Sequence, residues 1–73
     1  MDRNETPEER FKRLATLRTN AVLDKLRILG NLSNKGIYSY SEEDIDKIFS
    51  AINKQIKEVK AKFKPGKQQG FKL

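Results

Sequence analysis

The sequence predicts an all-α protein whose two helices form an antiparallel hairpin. Apolar residues recur at helical spacing in two stretches, each stretch begins with a residue that favours a helix N-terminus, and a segment rich in glycine and asparagine separates them. Helices joined by a short connection pack antiparallel. We expect the helices at about residues 7–29 and 42–63, and we expect dimerisation or a partner to complete the hairpin.

The first helix is predicted to start at Pro7. Thr6 can cap it, proline fits the first helical position, and Glu9 can complete a capping box with Thr6. Gly30 and Asn31 provide a stop after residue 29. The apolar positions between these ends cover about half of the helix circumference. They are Phe11, Leu14, Ala15, Leu17, Ala21, Val22, Leu26, Ile28 and Leu29.

The connection, residues 30–40, contains two glycines and two asparagines, which tolerate positive φ angles. It also carries Leu32, Ile37, Tyr38 and Tyr40, and this is an apolar composition for a linker. We expect an ordered loop. Its apolar side chains either cover the end of the helix pair or form an aromatic contact surface for a partner or a base.

The second helix is predicted to start after Ser41, which can cap it, and to carry three acids in its first turn. Its apolar residues are spaced by four, three, four, three and four positions, so they form a heptad seam along one side. Ile48 widens this seam, and Pro65 follows the helix. The seam residues are Ile45, Phe49, Ile52, Ile56, Val59 and Phe63.

The first helix is apolar over a wider surface than the second helix can cover. A lone hairpin would therefore leave apolar side chains exposed, and such a patch on a small chain usually marks an interaction surface. We expect a homodimer of four helices or docking on a larger protein complex. The predicted interface residues are Leu14, Leu17, Ala21 and Ile28, with Tyr38 and Tyr40 from the connection.

Positive charge is concentrated in two segments. The net charge is +6, and residues 10–29 and 57–73 each carry six bases and one acid. An antiparallel hairpin would bring the start of the first helix beside the end of the second and create a basic pole, which is typical of proteins that bind nucleic acid. A plain solvated surface is the alternative. The predicted phosphate-binding residues are Arg10, Arg13, Arg18, Lys57, Lys60, Lys62 and Lys64.

Arg18 and Lys25 project from within the apolar stripe of the first helix. They either reach its edge and pair with acids of the second helix, or Arg18 contacts a phosphate or a partner carboxylate. Because the sequence shows no base-reading motif, backbone contacts with DNA or RNA are expected rather than base readout.

Catalysis is not expected. The 73 residues include no histidine and no cysteine, which removes the commonest general base, the usual thiol nucleophile and a thiolate metal site. The acids at residues 42–46 fit helix capping better than a metal site. We therefore predict no catalytic or metal-binding residue, no cofactor and no small-molecule substrate.

Location and domain limits follow from composition. No apolar run approaches the ~18 residues needed to span a bilayer, and the first residues lack the apolar core of a signal peptide. We expect a cytoplasmic protein without a membrane partner. Its predicted parts are a disordered lead-in at residues 1–5, a helical domain at residues 6–64 and a flexible basic tail at residues 65–73.

Four sequence phrases together resemble a family of uncharacterised short bacterial proteins, some from phages and mobile elements. The phrases are RFKRLA at residues 10–15, LRILGNLSNK at residues 26–35, YSYSEEDIDKIFSAI at residues 38–52 and VKAKF at residues 59–63. The resemblance spans about residues 10–63. It implies a stand-alone accessory protein and no particular activity.

Two functions fit these observations. The first is a non-enzymatic binding protein whose basic pole contacts nucleic acid or a nucleoprotein complex. The second is a protein-binding adaptor or inhibitor, such as a phage or mobile-element accessory protein acting on a host complex. It would use the apolar face of the first helix and the tyrosine-containing loop.

Overall fold

The structure, a computed structural model, describes residues 4–63. Helix α1 spans Pro7–Gly30, a short 3₁₀ turn follows at Asn31–Ser33, and helix α2 spans Glu42–Ala61. Residues 4–63 contain no strand. The chain divides into two units, Met1–Tyr38 with α1 and Ser39–Leu73 with α2. The prediction of an all-α protein with two helices is confirmed.

Helix α1 starts with the predicted capping box. The side-chain oxygen of Thr6 accepts a hydrogen bond from the Glu9 backbone N–H, and the Thr6 backbone N–H donates to the Glu9 carboxylate, each at 3.0 Å. Pro7 occupies the first turn, where its missing N–H costs no helical bond. Such a cap stabilises a helix by about 1 kcal/mol.

The end of α1 differs from the prediction by one residue, because Gly30 is still helical. The Asn31 backbone N–H donates to the carbonyls of Ile28 and Leu29, and the 3₁₀ turn continues from there. Gly30, Asn31 and Asn34 tolerate positive φ angles but do not adopt them here, since their φ angles are −62°, −65° and −71°. The 3₁₀ turn satisfies the terminal carbonyls, so no left-handed residue is needed there.

Asn34 organises the connection between the helices. Its side-chain oxygen accepts a hydrogen bond from the Gly36 N–H at 2.8 Å. Its carbonyl oxygen accepts from the N–H groups of Ile37 at 3.1 Å and Tyr38 at 2.9 Å. This is the local side-chain turn that asparagine favours, and it gives the segment around residues 34–38 a defined conformation.

Helix α2 also starts with a capping box. The Ser41 side-chain oxygen accepts from the Asp44 N–H, and the Ser41 N–H donates to the Asp44 carboxylate, both at 3.0 Å. The helix ends at Ala61, two residues before the predicted end at residue 63. Its last turn tightens, since the N–H groups of Lys62 and Phe63 bond three residues back rather than four. The proline expected to follow, Pro65, lies outside the described residues.

No residue in the described range is buried. Over the same residues the structure records no long-range contact between Cα atoms. A packed hairpin is therefore not shown.

Candidate functional site

The seam of α2 forms one continuous apolar face. Ile45, Ile48 and Ile52 are half-buried, whereas Phe49 and Ile56 are 45% and 51% exposed. Because these residues recur at heptad spacing along a single helix, they share one side of it. The face is therefore suited to burial against another helix.

Four of the predicted interface residues share a side of α1. Leu14, Leu17, Ala21 and Ile28 are separated by three, four and seven positions, and we call this set the outer seam. Leu14 is half-buried, while the other three are exposed. The helix thus brings these four predicted residues together.

Leu23 is a surface residue that the sequence reasoning missed. It is 57% exposed, nearly as much as Leu17 at 60%, yet it lies outside the apolar stripe. The two leucines are six positions apart, so they point in directions about 120° apart around the helix. A helical-wheel projection of α1 finds Leu23 as an apolar residue on the polar side.

The connection exposes most of its apolar residues. Leu32, Ile37 and Tyr38 are exposed, and Tyr40 is half-buried. Tyr38 ends the first unit and Tyr40 lies in the second, so each tyrosine is placed only within its own unit. The exposure of Ile37, at 70%, is compatible with a contact surface.

Glu5 binds two arginines near the start of α1. Its two carboxylate oxygens accept hydrogen bonds from Nε and Nη2 of Arg13 at 2.8 and 2.9 Å, a bidentate pair. Arg10 Nε lies 3.9 Å from the same carboxylate. The hydrogen bond from Arg13 lowers the pKa of Glu5, and in return it raises the pKa of Arg13. The Glu5 side chain is only 20% exposed.

This cluster changes the electrostatics of the predicted basic pole. Arg10 and Arg13 were predicted to contact phosphates, and in the structure both lie against a carboxylate. Arg18, Lys57, Lys60 and Lys62 have no ion pair with the described residues. Lys64, the last predicted phosphate-binding residue, lies outside residues 4–63.

Asp44, in the acidic first turn of α2, stabilises the helix start, because its carboxylate accepts a hydrogen bond from the Ser41 N–H in the capping box. Among residues 4–63, no group of three or more acidic, histidine or cysteine residues is placed to hold a metal ion. Over the same range, neither helix combines the length and the apolar character that crossing a membrane requires.

A scan against protein-family models matches no family, and searches of curated proteins and solved structures return no match. The resemblance to short bacterial and phage proteins therefore stays a prediction.

The Glu5–Arg13 pair predicts a specific titration. Because the pKa of Glu5 is lowered from its ordinary value of 4.5, the pair stabilises the start of α1 above that pH and is lost as the pH falls through the lowered pKa. We expect a carboxyl-carbon NMR titration to place the pKa of Glu5 below 4.5. Arg13→Gln should return it towards 4.5.

Arg18→Gln is the matched control, since Arg18 has no ion pair within the described residues. It should leave the pKa of Glu5 unchanged. An ordinary pKa for Glu5 in the unmodified protein would contradict the bidentate pair.

Proposed function

We propose that the chain is a small non-enzymatic binding protein whose helices form an antiparallel hairpin and whose outer seam on α1 is covered by a protein partner. The observation that carries this proposal is that no residue in positions 4–63 is fully buried, combined with partly exposed apolar seams on both helices. Surfaces of this kind are typical of interaction sites.

The free energy gained by burying apolar side chains favours burial of the apolar faces of α1 and α2 in the functional state. Fully burying a Leu, Ile, Val or Phe side chain contributes about 1.5–3 kcal/mol. Helices of 24 and 20 residues gain little stability from intrinsic propensity alone, and in proteins most helical stability comes from packing of an apolar face. The capping boxes define where each helix starts, but they supply only about 1 kcal/mol each.

The hairpin accounts for only part of the apolar surface of α1. Beside the outer seam, α1 carries a second row that we call the inner seam. The single seam of α2 can cover one row of α1 and not both. We assign the inner seam to α2 and the outer seam to the partner. The inner seam consists of Phe11, Ala15, Val22, Leu26 and Leu29.

The non-enzymatic part of the proposal is supported by the chemistry of the polar residues. The full sequence offers no histidine and no cysteine. The carboxylates of Glu9 and Asp44 cap helices, and that of Glu5 binds arginines. Each of these acids thus has a structural role at a helix start.

A second candidate function is nucleic-acid binding through the basic end of α2. It is favoured by Lys57, Lys60 and Lys62, which form no ion pair with the described residues and remain available to phosphates. It is weakened by Glu5, which neutralises part of the arginine cluster on α1. Protein binding is therefore the better-supported function.

Leu17→Asp tests the protein-binding function. A charge in the middle of the outer seam cannot be buried without a partner charge, so capture of the protein partner from a nuclease-treated lysate should fall at least about tenfold. Leu23→Asp is the matched control, because it makes the same change at a similarly exposed leucine on another side of α1. Equal losses from both variants, or no loss from Leu17→Asp, would contradict an outer-seam interface.

The nucleic-acid function predicts a salt-dependent interaction through α2. Replacing Lys57, Lys60 and Lys62 with Gln should weaken binding to DNA and RNA at low salt and lower the slope of log affinity against log salt by about 2–3, as expected for three lost phosphate contacts. Mobility-shift titrations at several salt concentrations measure this slope.

A control variant with the same net charge replaces Lys25, Lys35 and Lys47 with Gln, all of which lie outside the basic segment of α2. This control variant should retain more of the affinity for DNA and RNA, and more of the slope of log affinity against log salt, than the variant of Lys57, Lys60 and Lys62. If the unmodified protein gives no shift in low salt, the nucleic-acid function is ruled out.

A further inference from the structure

We propose that α2 pairs with α2 of a second copy of this chain, in an antiparallel arrangement about a two-fold axis beside Asn53. The first observation is the separation of charge along the helix. Residues 42–47 carry four acids and one base, whereas residues 54–62 carry four bases and one acid. A helix with one acidic half and one basic half is electrostatically complementary to its own antiparallel copy.

The seam of α2 is also complementary to itself in this orientation. One register places Phe49 against the second copy's Val59 and Ile52 against the second copy's Ile56. The same register places Ile45 against the second copy's Phe63. The spacing of four, three, four, three and four positions is the same in both directions, so the four seam residues from Phe49 to Val59 find apolar partners within α2, and Ile45 meets Phe63, which follows the helix end at Ala61.

The flank of the seam carries the matching charges. Asp46, Asn53 and Lys60 recur at intervals of seven residues along one edge. In the register above, Asp46 of each copy lies opposite Lys60 of the other, and Asn53 lies opposite its own counterpart. Two equivalent ion pairs therefore flank the shared apolar core.

The side chains of Asp46 and Lys60 have no ion pair with the described residues. Their own helix offers none, because the residues three and four positions before Asp46 are Glu43 and Glu42, and those after it are Phe49 and Ser50. Lys60 follows Ile56 and Lys57 at the same distances. A complementary charge for either residue can therefore come only from outside α2.

Helix α1 is a poor source of the acid that would pair with Lys60. In the proposed hairpin, the basic half of α2 lies beside residues 10–18 of α1, which carry four bases and no acid. A second copy of α2 supplies acids at the required place. In a four-helix bundle the seam of each helix contacts two neighbouring helices, so the seam of α2 can face the second copy on its Asp46 flank and α1 on its Ile48 flank.

This inference rests on the hairpin of the proposed function and does not require the partner protein. It uses α2 and leaves the outer seam of α1 for that partner. Dimerisation and partner binding can therefore fail independently of each other.

Cysteine cross-linking tests the orientation directly, because the chain has no cysteine of its own. Under mild oxidation, Asp46→Cys copies mixed with Lys60→Cys copies should form the mixed disulfide, and neither variant should cross-link with itself. Asn53→Cys should cross-link with itself, whereas the control Lys54→Cys, on the outer side of the helix, should not. Self-cross-linking of Asp46→Cys, or none by Asn53→Cys, would overturn the antiparallel register.

A charge reversal tests the ion pairs in the purified protein. Asp46→Lys or Lys60→Asp should each weaken the dimer at least about tenfold in sedimentation equilibrium, because two attractive pairs become repulsive. The double variant should restore the dimer. A monomer at every concentration in the unmodified protein, or a double variant as weak as the single ones, would overturn the proposal. Leu17→Asp should leave the dimer unchanged. If this variant no longer binds the protein partner while its dimer stays intact, the loss is due to the outer seam alone.

Discussion

The absence of a fully buried residue along either helix is the constraint on which the proposed function depends. Each helix starts at a well-formed cap and carries a continuous apolar face, yet no residue between positions 4 and 63 is buried. Caps and intrahelical ion pairs such as Lys54–Glu58 contribute little compared with the burial of an apolar seam. Stability and the proposed function are therefore linked, since the apolar surface whose burial would stabilise the helices is also the proposed binding surface.

The helix starts were predictable because they are specified by a few adjacent residues. Thr6 with Glu9 and Ser41 with Asp44 form closed hydrogen-bonded pairs within four positions, and local geometry is sufficient for them. The ends were less predictable. Helix α2 ends at Ala61 by tightening its last turn rather than at a glycine or proline, and the connection is organised by the Asn34 side chain. Both outcomes depend on small conformational preferences that spacing rules do not register.

The candidate surfaces were predictable to the extent that they depend on helical periodicity. The outer seam of α1 follows from spacing alone, whereas the arginine cluster does not. Glu5 lies eight residues before Arg13, in a segment expected to be a disordered lead-in, and its position depends on how the chain enters the helix. The prediction of a basic pole assumed more than the prediction of the outer seam, because it requires both a packed hairpin and arginines without ion pairs. Contacts between distant segments are not specified by local sequence rules, and this is why the hairpin and the dimer stay proposals.

We propose that another helix covers the apolar seams, and concentration-dependent folding tests this most directly. Thermal unfolding of the purified chain, followed by circular dichroism over about a hundredfold range of concentration, reports whether association and folding are coupled. The account predicts that the unfolding midpoint and the helical content both rise with protein concentration. Full helicity with a cooperative transition that does not depend on concentration would show that one copy covers its own seams, and it would contradict the account.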